Sequence, residues 1–181
     1  MEKRIEVRLS GSGGQGILLA GIILAEAALL DGKNAVQTQS YGPEARGGAS
    51  RSEVIISEAA IDYPKVSRPS VLLALTKEAY DKYRHDLEPD ALLITDDAFA
   101  VDELPAGLRH IQAPITRSAV EHLQRSIVAN IVALGVLVKA SGLITEESLE
   151  AAVLNRVPKG TEELNRQALS LGFQLAADAV N

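Results

Sequence analysis

The chain has 181 residues, 46% of them hydrophobic, a formal net charge of −6 (18 Lys plus Arg against 24 Asp plus Glu) and no cysteine. One domain of ~100–200 residues accounts for this length, and the apolar share is that of a globular rather than a disordered chain. Without cysteine there is no disulfide, no thiolate nucleophile, no cysteine-ligated zinc and no iron–sulfur cluster held by this chain alone. The acidic balance, the absence of a basic stripe, and 3% aromatic residues with no tryptophan exclude a generic nucleic-acid binder.

Met1-Glu2-Lys3-Arg4 runs straight into an alternating segment with no signal-peptide pattern. The longest apolar runs, residues 17–30 and 127–138, carry Glu26 and Asn130 and fall short of the ~18 residues that a membrane span needs. A cytoplasmic protein with no membrane partner is expected.

Ile5, Val7 and Leu9 alternate with Glu6, Arg8 and Ser10, the pattern of a first strand, which ends in Gly11-Ser12-Gly13-Gly14-Gln15-Gly16. An apolar helix follows over residues 17–30, with Gly32 past its end. A second strand fits residues 35–40 and a third fits 51–56. Too few residues separate them for the crossover of a parallel pair, so they are antiparallel or non-adjacent. Residues 71–75 form a buried fourth strand, with Thr76 as N-cap of a short helix to Tyr83; residues 91–95 and 109–112 are the fifth and sixth strands. Pro114 and Thr116 open one long helix to about Ala140, apolar all round over 127–138 and therefore central to the core. Thr145 and Thr161 cap two last helices, each with two glutamates in its first turn. The expected fold is a single-domain, three-layer α/β sandwich over residues 1–181. Its sheet is mostly parallel and Rossmann-like, with one antiparallel strand.

Gly11, Gly13 and Gly16 make a G-x-G-x-x-G between strand and helix, the context in which backbone amides and a helix N-terminus meet a phosphate. Gly14 and Gln15 belong to the same turn. A dinucleotide site also needs an acid after the second strand for the ribose, and Val36-Gln37-Thr38-Gln39-Ser40 has none. The glycine turn is thus either a phosphate contact or a tight packing turn. The loop Tyr41-Gly42-Pro43-Glu44-Ala45-Arg46-Gly47-Gly48-Ala49 places one arginine beside two glycines, a fork for phosphate or carboxylate or a merely solvated loop. Asp96-Asp97 is expected to cap a turn or helix rather than hold magnesium. His85, His110 and His122 have neither metal spacing nor a nucleophile partner, and Asn130 is expected to be a hydrogen-bonded buried polar group. No catalytic residue and no metal site is assigned.

Gly11-Ser12-Gly13-Gly14-Gln15-Gly16-Ile17, followed by residues 39–54 around Ser40-Tyr41-Gly42-Pro43-Glu44-Ala45-Arg46-Gly47-Gly48, closely resembles the gamma subunit of 2-oxoacid:ferredoxin oxidoreductases. The similarity continues through Ile61-Asp62-Tyr63-Pro64, Ala79-Tyr80-Asp81-Lys82-Tyr83, Asn130-Ile131-Val132-Ala133-Leu134-Gly135 and residues 165–172. The resemblance implies a subunit without activity of its own, in a hetero-oligomer that decarboxylates a 2-oxoacid oxidatively to an acyl-coenzyme A. Thiamine diphosphate, magnesium and iron–sulfur clusters would lie on alpha, beta and, where present, delta subunits, with ferredoxin as electron acceptor. The gamma chain would hold no cofactor alone but touch coenzyme A, through Gly11, Gly13, Gly14, Gln15 and Gly16 and through Ser40, Tyr41, Gly42, Arg46, Gly47 and Gly48. The Tyr41–Ala49 loop looks more like the 2-oxoglutarate type than the pyruvate type. Pyruvate, a branched-chain 2-oxoacid or indolepyruvate are the alternatives within the family. A stand-alone nucleotide-binding Rossmann-like protein, or an interaction module with no ligand, are the alternatives outside it.

Overall fold

A computed structural model describes residues 4–40 and 48–180. Six strands form one sheet in the order β2-β3-β1-β4-β5-β6: β1 Ile5–Gly11, β2 Asn34–Gln39, β3 Ser50–Ser57, β4 Val71–Ala74, β5 Leu92–Asp96 and β6 Arg109–Ala113. β1, β4, β5 and β6 pair in parallel, while β3 runs antiparallel to both of its neighbours, β1 and β2. The second and third strands are therefore both antiparallel and adjacent, as the short connection requires.

Because side chains alternate across a strand, Val7, Leu9, Val54, Ile56, Val71 and Leu73 turn to one face of the sheet. There they meet α1 (Ile17–Leu30), α3 (Ile115–Leu123), α4 (Ala129–Ser141), α5 (Glu146–Arg156) and α6 (Glu162–Val180). α4 has no polar face because it is enclosed on all sides, with ten consecutive buried residues from Ala129 to Val138. α4 and α6 touch through backbone: a Cβ on Gly135 would meet the Leu169 carbonyl oxygen at 2.7 Å, and one on Gly172 would collide with the Val132 carbonyl. Among the described residues the opposite face carries only α2 (Lys77–Tyr83), whose Ala79, Tyr80 and Tyr83 pack on Leu72, Ala74 and Leu93 with Phe99, Val101 and Leu108 alongside. The three layers are thus unequal.

One expected element divides. The long helix over 116–140 is two helices, α3 and α4, separated by Gln124 in the left-handed region (φ 55°), extended Arg125 and a 3-10 turn at Ser126–Val128. α3 is amphipathic and lies against the layer edge, whereas α4 runs through its centre. A straight helix could not put both faces where they are, and the break re-aims the chain. Thr76 and Thr145 act as N-caps, accepting from Ala79 N and Ser148 N at 3.2 Å each. Asp96 caps α3, its Oδ2 accepting from Thr116 N at 2.9 Å and Thr116 Oγ1 at 2.6 Å. No helix among the described residues is long and apolar enough to cross a membrane.

Candidate functional site

The β1–α1 turn lies where the connections diverge. From β1 the chain leaves through α1 on one face toward β2, and from β4 it leaves through α2 on the other face toward β5. The crevice beyond the carboxyl ends of two such strands is where open α/β sheets place ligands. Gly11 ends β1 in register with Ser50 of β3. Gln15 closes the turn on itself: its N–H donates to Ser12 O at 3.3 Å and its Oε1 accepts from Ser12 N at 2.7 Å. A Cβ at Gly11 would strike that Oε1, which is why this position is glycine. Gly16 is the N-cap of α1 with φ 71°, and no side chain caps the helix. Gly13 and Gly14 are exposed, and the position of a Gly14 Cβ is open space.

Beside this turn is a cavity of about 360 Å³. Gly14, Gly16 and Leu19 line it from the start of α1; Val128, Asn130 and Ile131 from the start of α4; and Thr161, Leu164 and Asn165 from the start of α6. Three helix N-termini therefore meet at one hollow. Each carries a partial positive charge, and α1 and α4 have no side-chain cap at their N-cap residues. Asn130 ties two of the three together, its Nδ2 donating to Gly16 O at 3.3 Å while its Oδ1 accepts from Ile131 N at 3.0 Å. Asn165 is held by Thr161, to whose carbonyl oxygen its Nδ2 donates at 2.9 Å. The remaining walls are apolar, among them Val157, Pro158 and Ile127, which is 79% exposed at the rim. Among the described residues no acid, histidine, lysine or arginine lines the cavity. It suits an anionic ligand with an apolar portion and offers no acid, base or strong nucleophile for chemistry.

Of the residues expected at the site, Gly14 and Gly16 line the cavity, and Gly11, Gly13 and Gln15 form the turn behind it. Ser40 and Gly48 are half-buried on the same edge of the sheet, following β2 and preceding β3, and do not line the cavity. Tyr41, Gly42, Arg46 and Gly47 lie outside the described residues. Sequence reasoning missed the contributions of Ile127, Val157, Thr161, Leu164 and Asn165. It foresaw Asn130 only as a bonded buried polar group, which it is. The ribose acid sought after β2 could not have served there: β3 separates β2 from β1, so the end of β2 is two strand spacings, ~10 Å, from the turn. His110 sits far from this hollow on β6, its Nε2 2.9 Å from Thr95 Oγ1, and burial pushes its pKa down. Among the described residues no cluster of three or more His, Asp or Glu could hold a metal ion.

The profile of the pyruvate ferredoxin/flavodoxin oxidoreductase family matches residues 6–175, and the chain belongs to that family. More particularly, it is 51% identical over 181 residues to the 2-oxoglutarate synthase subunit KorC of Methanocaldococcus jannaschii, covering 98% of this chain and 97% of that one. The KorC of Methanothermobacter thermautotrophicus is 47% identical over 182 residues, covering 97% and 96%. Among solved structures, the gamma subunit of keto/oxoacid ferredoxin oxidoreductase from Geobacter sulfurreducens is 50% identical, with a TM-score of 0.89 over 98% of both chains.

Proposed function

We propose that this chain is the gamma subunit of a 2-oxoglutarate:ferredoxin oxidoreductase, a cytoplasmic hetero-oligomer that converts 2-oxoglutarate to succinyl-coenzyme A. We further propose that the hollow at the three helix N-termini receives the phosphate-bearing part of coenzyme A. The whole chain acts as one gamma-type domain. The full-length match to KorC proteins supports the substrate. The convergence of three helix N-termini on a cavity whose described lining holds no charged side chain supports the ligand.

Thiamine diphosphate with magnesium and the iron–sulfur clusters, on alpha, beta and any delta subunits, would supply the decarboxylation and the electron transfer to ferredoxin. This chain's own residues bind and orient. Exposed Gly13 and Gly14 let a phosphate come against the backbone, and the α1 N-terminus faces it. Gln15 and Asn130 hold the turn in that shape, and the apolar wall of Ile131, Val157 and Leu164 shields the uncharged part of the ligand from water. Ser40, Tyr41, Gly42, Arg46, Gly47 and Gly48 add a second contact to the same ligand or to a partner subunit.

The test is Gly13→Asp in the assembled complex, which sets a carboxylate at the mouth of the turn, with Gly13→Asn as its uncharged counterpart. The KM for coenzyme A should rise about tenfold or more in Gly13→Asp, the equivalent of one charge-assisted contact, and far less in Gly13→Asn. The KM for 2-oxoglutarate and the first-turnover reduction of the clusters, which precede acyl transfer, should not move. Equal KM values for coenzyme A in the two variants would remove the ligand from this hollow.

A further inference from the structure

The face of the sheet under α2 contains a second group of polar side chains that the glycine turn and the hollow do not use. Arg8 stands in the middle of β1, between Val7 and Leu9 but pointing to the other face, and is only 4% exposed. Its Nε donates to Glu53 Oε1 at 2.7 Å, across the Arg8–Glu53 register pair of β1 and β3. Arg51, two residues before Glu53, is on the same face. The guanidinium carbons of Arg8 and Arg51 lie 5.0 and 5.8 Å from the ring centre of Tyr83, and Lys82 Nζ is 5.5 Å from the same ring.

Two features of this group are unbalanced. Glu53 is paired with Arg8, whereas Arg51 has no ion pair among the described residues, and arginine cannot shed its proton to relieve the excess. Arg8 Nη1, Arg51 Nε and Tyr83 Oη are buried without a hydrogen-bond partner among the described residues. Native interiors leave few polar atoms unmatched, because an unpaired buried donor forfeits its hydration with nothing in return. Here three such atoms belong to residues gathered around a single ring, two of them on side chains that cannot accept a hydrogen bond. A neutral carbonyl would satisfy one donor and leave the charge. An oxyanion satisfies both requirements, since it brings several lone pairs and negative charge together. Arg51, half-buried and next to Ser50 at the end of the sheet, gives the direction of approach.

We propose that Arg8, Arg51 and Tyr83 form a receptor for one oxyanion, a carboxylate or a phosphate, on the opposite face of the sheet from the coenzyme A hollow. The site does not depend on the ligand assigned to that hollow. The full chain is followed by its thermal unfolding midpoint without coenzyme A, while inorganic phosphate or acetate replaces chloride at constant ionic strength. The midpoint should rise and saturate with phosphate alone if the receptor selects phosphate, and with both anions if it takes any oxyanion. In Arg51→Gln the apparent anion affinity should fall about tenfold or more, and in Tyr83→Phe, which keeps the ring and removes the unpaired hydroxyl, several-fold. Gly13→Asp should leave the response intact, which separates this site from the hollow. No rise beyond chloride with either anion would overturn the proposal. So would a rise that is as large and as tight in Arg51→Gln as in the parent, which assigns the anion elsewhere. Should Arg51→Gln not fold, an unchanged response in Tyr83→Phe overturns it in the same way.

Discussion

The two faces of the sheet are built on different principles. On the face of α1 and α3–α6, buried aliphatic side chains form one cluster from Val7 to Ala176, and the helices approach as closely as Gly135 and Gly172 allow. On the face of α2, a small apolar cluster around Tyr80 and Leu93 stops at Arg8, Glu53 and Arg51. The first face holds the chain folded. The second pays for its charges with unmatched donors, a cost that stability alone would have removed, since a buried ion pair is often replaceable by apolar residues without loss. The hollow, in turn, opens at the end of the apolar side, where helix starts rather than charged side chains supply the field.

Three substitutions sharpen the contrast. The largest effect belongs to the apolar face: Gly172→Val forces a branched side chain into the Val132 carbonyl and the α4 backbone, which no rotamer can relieve. It should destabilise by about 3–4 kcal/mol, measured by urea unfolding. On the polar face, Glu53→Gln leaves Arg8 buried without its counter-charge and should cost about 3 kcal/mol. The double variant Arg8→Met/Glu53→Leu should return to within about 1 kcal/mol of the parent. If the double variant is no better than the single one, the pair is a structural necessity and the contrast between the faces fails. The smallest effect is at the rim of the helical layer, where electrostatics bind α1 to α5. There the Thr145 hydroxyl, backed by Lys33 and Ser148, holds the Asp31 carboxyl at about 2 against an ordinary 3.8. Since the folded chain lowers this pKa, its stabilisation is complete above pH ~5. It is lost as pH falls through the ordinary value toward about 2. Asp31→Asn should therefore cost about 1 kcal/mol at neutral pH, after screening by water at this rim, and almost nothing at pH 2. Unfolding curves from pH 2 to 7 measure it.

The strands and the β1–α1 turn were legible because each is written locally. Period-two alternation marks β1, and the short connection after Gln39 forbids a crossover, so β3 had to run against its neighbours or lie apart from β2. The break between α3 and α4 left no such mark: Gln124 takes a left-handed conformation with no glycine to announce it, inside a run that reads as one helix. The hollow was invisible for a different reason. Its walls come from residues 14–19, 127–131 and 157–165, so no window of sequence contains it; the glycine turn marked one wall through Gly14 and Gly16, and Asn130, a polar residue in an apolar run, marked a second. The Arg8 cluster left no mark in the sequence reading: alternation turned Arg8 away from Val7 and Leu9, and only the fold shows that α2 and Tyr83 cover that side.

The strand order also has a consequence for how the chain is made. β1 is made before the other five strands, yet both of its neighbours are remote, β3 beginning at Ser50 and β4 ending at Ala74. Its ladder on one side closes a loop of some 45 residues and on the other about 65, so the first strand made stays without its second partner until β4 is complete. Until residue 74 is available, Val7 and Leu9 have no complete surface to join, and a nascent chain halted before that point should expose them to chaperones or to a second copy.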